Sequence, residues 1–199
     1  WHNNSGASLR VLIIYKSQTK IDTKYQIMHY LLATIIFTIV LLTSTYGLSG
    51  SVELDGLNKQ QLSLNIDPTT NKVTIVLSGE TQAWFAVGFN GTDMNNTYTV
   101  LSDYDSTDIY EFKLGSGTCS PQCDKELKPT FVVNSNSVDD GVRTINITKP
   151  ISYNNPDYYS FPTSPGTIKL IWAFGIKGQK FENGTDMQNQ GNKKSITLS

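Results

Sequence analysis

The chain has 199 residues, a formal net charge of −1, and only two cysteines and two histidines. Beyond Gly47 twelve basic residues face sixteen acidic ones, a balance of −4. A mildly acidic domain lacks the field that binds phosphate backbones, which excludes nucleic acid as a partner class. His2 and His29 both lie upstream of Gly47, so the rest of the chain must work without imidazole. Hydrolase triads and the common zinc and copper sites draw on that group.

The first elements belong to a leader. Residues 1–27 read as leader sequence ahead of Met28 rather than as native protein. Residues 28–47 read as a secretory signal peptide: Tyr30 to Leu42 is uncharged and mostly apolar, and Thr43 to Gly47 supplies small residues for cleavage. A short membrane anchor is the alternative, but a span needs about 20 apolar residues and this run is shorter. The remaining residues, 48–199, form one domain. A domain of roughly 150 residues buries about 68–70% of its unfolded surface, enough for a core without metals.

Period-two alternation then recurs: Leu62, Leu64 and Ile66; Val73, Ile75 and Leu77; Ile145 and Ile147. Further strands are expected at Trp84 to Phe89, Thr97 to Leu101, Ile109 to Leu114, Thr130 to Val133, Ile168 to Phe174 and Ser195 to Leu198. Turn signals at 67–71 (DPTTN), 78–80 (SGE), 139–141 (DDG) and 182–184 (ENG) separate them. Many short strands so spaced predict an all-β fold, an antiparallel β-sandwich.

Cys119 and Cys123 share a Gly- and Pro-bearing loop. In an oxidising compartment they are expected to pair, and so short a loop contributes only about 2 kcal/mol. Four N-x-[ST] sequons follow the leader, at Asn90, Asn95, Asn146 and Asn183. Together with the apolar leader they predict glycosylation and an extracellular or cell-surface location reached through the secretory pathway. Such triplets also arise by chance in an Asn/Thr-rich chain.

Two strands stand apart. Trp84 to Phe89 (WFAVGF) and Ile168 to Phe174 (IKLIWAF) are apolar on both faces, as for central strands covered twice or lining a cavity. Each runs into a polar Gly/Asn loop holding one methionine, Met94 and Met187. Gly88 inside a strand implies a bulge, a close approach or a neighbouring ring. With Ala86, Ala173 and Gly175 it would leave room for a flat ligand lined by Trp84, Gly88 and Trp172. Alternatively, large aromatics fill that room themselves, and on the strand pattern alone this is the preferred reading.

WFAVGFN followed by Met94, the strand GVRTINITKPI at 141–151, and IKLIWAFG before a Gly-containing loop and a last strand resemble the DOMON family. That family is dopamine β-monooxygenase N-terminal-like and is related to cytochrome domains of the cellobiose dehydrogenase type. The resemblance spans about Leu48 to Ser199. It implies an immunoglobulin-like antiparallel β-sandwich of about ten short strands, secreted or on the cell surface, that binds b-type haem or sugars or serves in interactions. In haem-binding members the axial ligands are a methionine after the first motif and a histidine after the IWAFG-like strand. Met94 matches the first. At the second, Met187 stands four residues before Gly191, so a haem site here would be an unusual Met94/Met187 pair.

Both methionines are otherwise adaptable apolar gap-fillers. Asp103 and Asp105 are near each other without defining a carboxylate pair for glycoside chemistry, and no enzyme constellation is expected. The reading is a non-catalytic ligand-binding or interaction module for a sugar or other small ligand. The alternative is a haem b electron-transfer domain, whose partner would be a membrane cytochrome or another extracellular protein.

Overall fold

The computed structural model describes residues 25–32, 47–104, 107–115, 124–178, 180–181 and 193–199. The chain divides into two units, Trp1–Ser44 and Thr45–Ser199. In the first, residues 25–32 are helical and exposed. No helix among the described residues is long and apolar enough to cross a membrane. The greater part of the Tyr30–Leu42 run, together with Cys119, Cys123, Asp105, Asn183 and Met187, lies outside the described residues.

The second unit is a two-layer antiparallel sandwich. Its strands are β1 Leu48–Asp55, β2 Gln60–Asp67, β3 Lys72–Glu80, β4 Phe85–Phe89, β5 Tyr98–Ser102, β6 Ile109–Lys113, β7 Lys125–Leu127, β8 Val132–Asp139, β9 Val142–Pro150, β10 Gly166–Phe174 and β11 Lys194–Leu198. One sheet has the order β1-β2-β3-β9-β8 and the other β11-β10-β4-β5-β6-β7. The all-β sandwich expected from the sequence is therefore the fold observed.

The alternation that marked the strands is the alternation that buries them. Leu62, Leu64 and Ile66 of β2, Val73, Ile75 and Leu77 of β3, and Ile145 and Ile147 of β9 point inward from the five-stranded sheet. Phe85, Val87 and Phe89 of β4 and Ile168, Leu170 and Trp172 of β10 meet them from the six-stranded sheet. Burying each such side chain fully contributes about 1.5–3 kcal/mol relative to exposure.

Three local expectations are corrected. The SGE triplet at 78–80 is not a turn but the end of β3. Gly79 is required there because a Cβ would stand 2.6 Å from the Phe85 ring. The strand expected at Thr130 to Val133 begins at Val132 and continues to Asp139. β1 and β7 carried no alternation long enough to announce them. By contrast, the turn at 67–71 forms as read: Asp67 accepts from the Thr69 and Thr70 amides at 2.9 and 3.3 Å, and Asn71 takes a left-handed φ of 55°. The DDG turn likewise forms with Asp140 and Gly141 at positive φ.

Candidate functional site

β4 is buried at every residue, and so is β5. A strand in a two-layer sandwich needs only its inner face covered, so something else covers the outer face of the six-stranded sheet. That cover is a second apolar cluster of Trp84, Ala86, Leu101, Phe112 and Leu114, with Met94, Tyr110, Ile171, Ala173 and Phe181 packed against it. Register explains the membership. Ala86 pairs with Ala173 and Leu101, and Gly88 pairs with Ile171 and Thr99, so these residues share the outward face.

Met94 reaches this cluster from the β4–β5 connection. Asn90 leaves β4 with a left-handed φ of 58°, and Asn96 re-enters with a φ of 55°. Such angles suit asparagine, whose short polar side chain tolerates them. Asp93 closes the loop: its carboxylate accepts from the Asn95 amide at 2.9 Å, and its carbonyl accepts from the Thr97 hydroxyl at 2.8 Å. The thioether is left half-buried against the outer cluster. Asn90 and Asn95, two of the expected glycan acceptors, are exposed on the same loop, whereas Asn146 lies mid-strand in β9.

Trp84 is fully buried and meets the Phe181 ring edge-on, with centroids 5.4 Å apart. Phe181 also packs on Phe112 at 5.4 Å. Its backbone amide donates to Asp103 Oδ1 at 2.8 Å, which fixes where that ring enters the face. The Trp84 indole lies over Gly175, where any Cβ would collide with it. Its Nε1–H is buried without a hydrogen-bond acceptor among the described residues.

Trp84, Gly88 and Met94 therefore share one face, but Trp172 does not join them. It points into the main core and stacks on Phe174 with rings 5.9 Å apart and 16° from parallel. The inward residue at 172 follows from its pairing with Val87, one step out of phase with Ala86. The room expected beside Gly88 is also taken: a Cβ there would lie 2.6 Å from Ile171 Cγ1 and 2.7 Å from Thr97 Cγ2. Ile171 and Thr97, rather than the large aromatics of the preferred reading, stand beside Gly88.

Phe181 and Phe112 were not anticipated as site residues. Phe112 could have been found, since it alternates with Ile109 and Glu111 and so must face outward. Phe181 stands alone beyond β10 and carries no periodic signal. Asp103 is buried, with its carbonyl accepting from Arg143 Nη1 at 3.0 Å.

No protein-family model matches the chain, and no curated protein sequence does. Solved structures do. The cytochrome b domain of pyranose dehydrogenase from Coprinopsis cinerea overlays with a TM-score of 0.51 at 9% identity, covering 73% of this chain and 80% of that one. The cytochrome domain of Myriococcum thermophilum cellobiose dehydrogenase overlays with a TM-score of 0.45 at 12% identity, covering 76% and 79%. The chain thus shares a β-sandwich fold with the pyranose dehydrogenase cytochrome b domain. At such identity the fold is what is shared.

Haem is a ligand that the resemblance of the sequence motifs implies. The described residues on the outer face offer one thioether, Met94, and no imidazole. Their side chains already occupy the ground above Gly88 and Gly175. They do not by themselves fit a porphyrin held by two axial ligands.

Proposed function

We propose that the domain is a non-catalytic DOMON-type binding module, secreted or displayed at the cell surface. Its site is the outer face of the six-stranded sheet, between Met94 and Phe181. The ligand is a small apolar molecule carrying a hydrogen-bond acceptor. The observation that carries this reading is the orphaned indole N–H of Trp84 inside an apolar cluster on the solvent side of a sheet. A buried donor without a partner costs about 1–3 kcal/mol, and a ligand acceptor would recover that penalty. Sugars fit this site less well. Stacking on a sugar needs an exposed ring face, and both Trp84 and Trp172 are buried. Exposed Asn90 and Asn95 support passage through the secretory pathway, since glycans there would leave the sandwich undisturbed.

A second reading, haem b and electron transfer to a membrane cytochrome or an extracellular protein, is favoured by two observations. The fold is shared with a cytochrome b domain, and the Met94 thioether stands over the outer face. A thioether is an ordinary haem ligand. The second ligand would have to come from Met187, and Phe181 would have to withdraw.

Titration with haemin and with iron-free protoporphyrin tests both readings. If both bind and quench Trp84 emission, the outer face is a site for planar apolar ligands. A Soret shift with haemin that Met94→Ala abolishes would add iron ligation. Should neither porphyrin, nor a panel of apolar carboxylates, perturb Trp84, the binding site is refuted.

A further inference from the structure

An antiparallel sheet that faces water on one side carries polar and charged residues there, in alternation with its core residues. On the outer face of the five-stranded sheet the charges stand only at the margin, with Glu53 on the edge strand β1 and Asp67, Lys72, Glu80 and Asp139 at strand ends. The middle is uncharged. Ser63, Thr74, Val76, Ser78, Thr144 and Thr148 turn outward there from β2, β3 and β9.

Asn146 sits at the centre of this face. It is paired with Val76 of β3 on one side and Ser135 of β8 on the other. Its neighbours along the strand, Ile145 and Ile147, are fully buried, so period-two alternation sends its side chain outward. It opens the sequon Asn146-Ile147-Thr148. An N-linked sugar replaces one hydrogen of the Nδ2 amide and leaves Oδ1 as an acceptor.

That division of labour is the one the structure shows. Asn134, at the bulge of β8, donates from Nδ2 to Asn146 Oδ1 and to Thr148 Oγ1, each at 2.8 Å. The bond uses the atom that glycosylation spares, and it turns Oδ1 toward β8. In a planar amide the nitrogen then points the other way, toward β3. Val76 lies directly opposite there, with Cβ atoms about 4.5–5.5 Å apart in such a pair. Beside it the Thr74 and Thr148 hydroxyls meet at 3.3 Å. A pyranose ring presents apolar C–H faces and a rim of hydroxyls. Valine can bury the first, threonine and serine can bond the second, and no charge has to be stripped of water beneath the ring.

We infer that Asn146 carries an N-linked glycan, given the secretory passage proposed above, and that its first sugars lie flat on the outer face of β3 and β9 over Val76. Asn90 and Asn95 differ, because their exposed loop leaves a glycan in solvent.

The test expresses the whole chain in a eukaryotic secretory host with no added signal, followed by glycopeptide mapping and NMR. Asn146 is expected to be occupied, and the first N-acetyl sugar to show cross-relaxation with the Val76 methyls. Asn134→Ala keeps the sequon but frees the amide, so that signal should weaken. Val76→Ala should lower the urea midpoint more in the glycosylated chain than in the Asn146→Gln background. Asn90→Gln and Asn95→Gln should leave the midpoint where it is. A bare Asn146 beside an occupied Asn90 or Asn95 overturns this inference and leaves the secretory reading standing, whereas three bare sequons overturn both. A glycan at Asn146 without contact to Val76, or a Val76→Ala cost that is the same with and without it, overturns the inference as well.

Discussion

The ammonium of Lys149 on β9 lies 2.7 Å from the carboxylate of Glu111 on β6, with side-chain exposures of 1% and 0%, so an ion pair bridges the two sheets through the interior. Tyr98 completes the arrangement, accepting from Lys149 Nζ at 2.6 Å and donating its hydroxyl to Glu111. The Thr130 amide and hydroxyl supply Glu111 with further donors at 2.5 and 3.0 Å. A buried pair adds little net stability over an apolar one, yet removing one partner strands the other charge. Lys149→Met should therefore cost about 3–5 kcal/mol in urea unfolding. Adding Glu111→Leu should recover part of that loss, because the stranded carboxylate is gone while Tyr98 and Thr130 still lack an acceptor. A single substitution at Lys149 that costs under about 1 kcal/mol would mean that the pair does not form.

The same cluster sets a pH response. Burial first, and the Glu111 charge second, push the Tyr98 phenol well above its ordinary value near 10.0. A group whose folded value is raised contributes stability below its unfolded value and loses it as pH rises through the folded one. Stability should thus fall above about pH 10 as the unfolded chain gives up this proton first. Burial pushes Lys149 downward against the opposing pull of Glu111. Its own contribution therefore rises with pH up to the ordinary lysine value, partly offsetting the phenol. Comparing wild type with Tyr98→Phe isolates the tyrosine. The difference in unfolding free energy should be constant near neutrality and shrink steadily above about pH 10. A difference that stays flat to about pH 12 would show that Tyr98 titrates alike in both states.

Gly88 offers a packing test of the outer face. Gly88→Ala forces a methyl against Ile171 and Thr97, and such overpacking costs about 1–3 kcal/mol. Combining it with Ile171→Ala should cost less than the sum of the two single changes, since the first clash is removed. Were Gly88→Ala neutral in thermal unfolding, the space above this glycine would be open after all.

What the sequence made legible follows from what buries each strand. β4 announced itself as a continuous apolar run because both of its faces are covered, and β10 did so only from Leu170 onward, past the exposed Lys169. β2, β3 and β9 did so by alternation because only one face is. β8 was half missed since an exposed edge of Asn and Ser obeys neither pattern and uses residues poor in strand propensity. The buried pair was readable in principle: Arg143, Ile145, Ile147 and Lys149 fall on one phase of β9, which puts Lys149 inside. Trp172 illustrates the opposite limit. Its tryptophan identity suggested a pocket, but one residue of phase relative to Ala173 sends it to the core. The rim was legible only as far as Met94, whose loop is tied by Asp93. Phe181 is set by its amide bond to Asp103, 78 residues away in sequence, which no local pattern encodes.

Phe181 is the side chain whose loss should reveal the site. Its ring covers Trp84 and Phe112 but is only half-buried and stands outside any strand. Phe181→Ala should therefore destabilise the sandwich by less than the about 3–5 kcal/mol of a fully buried phenylalanine. It should also vacate a ring-sized volume beside the Trp84 indole. Two readouts should then move together: Trp84 emission should shift to the red as water enters, and affinity for protoporphyrin should rise several-fold as the aromatic plug no longer competes. The Trp84→Phe background assigns the emission change to that indole rather than to Trp172, which faces the main core. If Phe181→Ala unfolds no part of the domain, shifts the emission, and still leaves porphyrin affinity unchanged, then Phe181 is a cover for the sheet and not the occupant of a ligand's place.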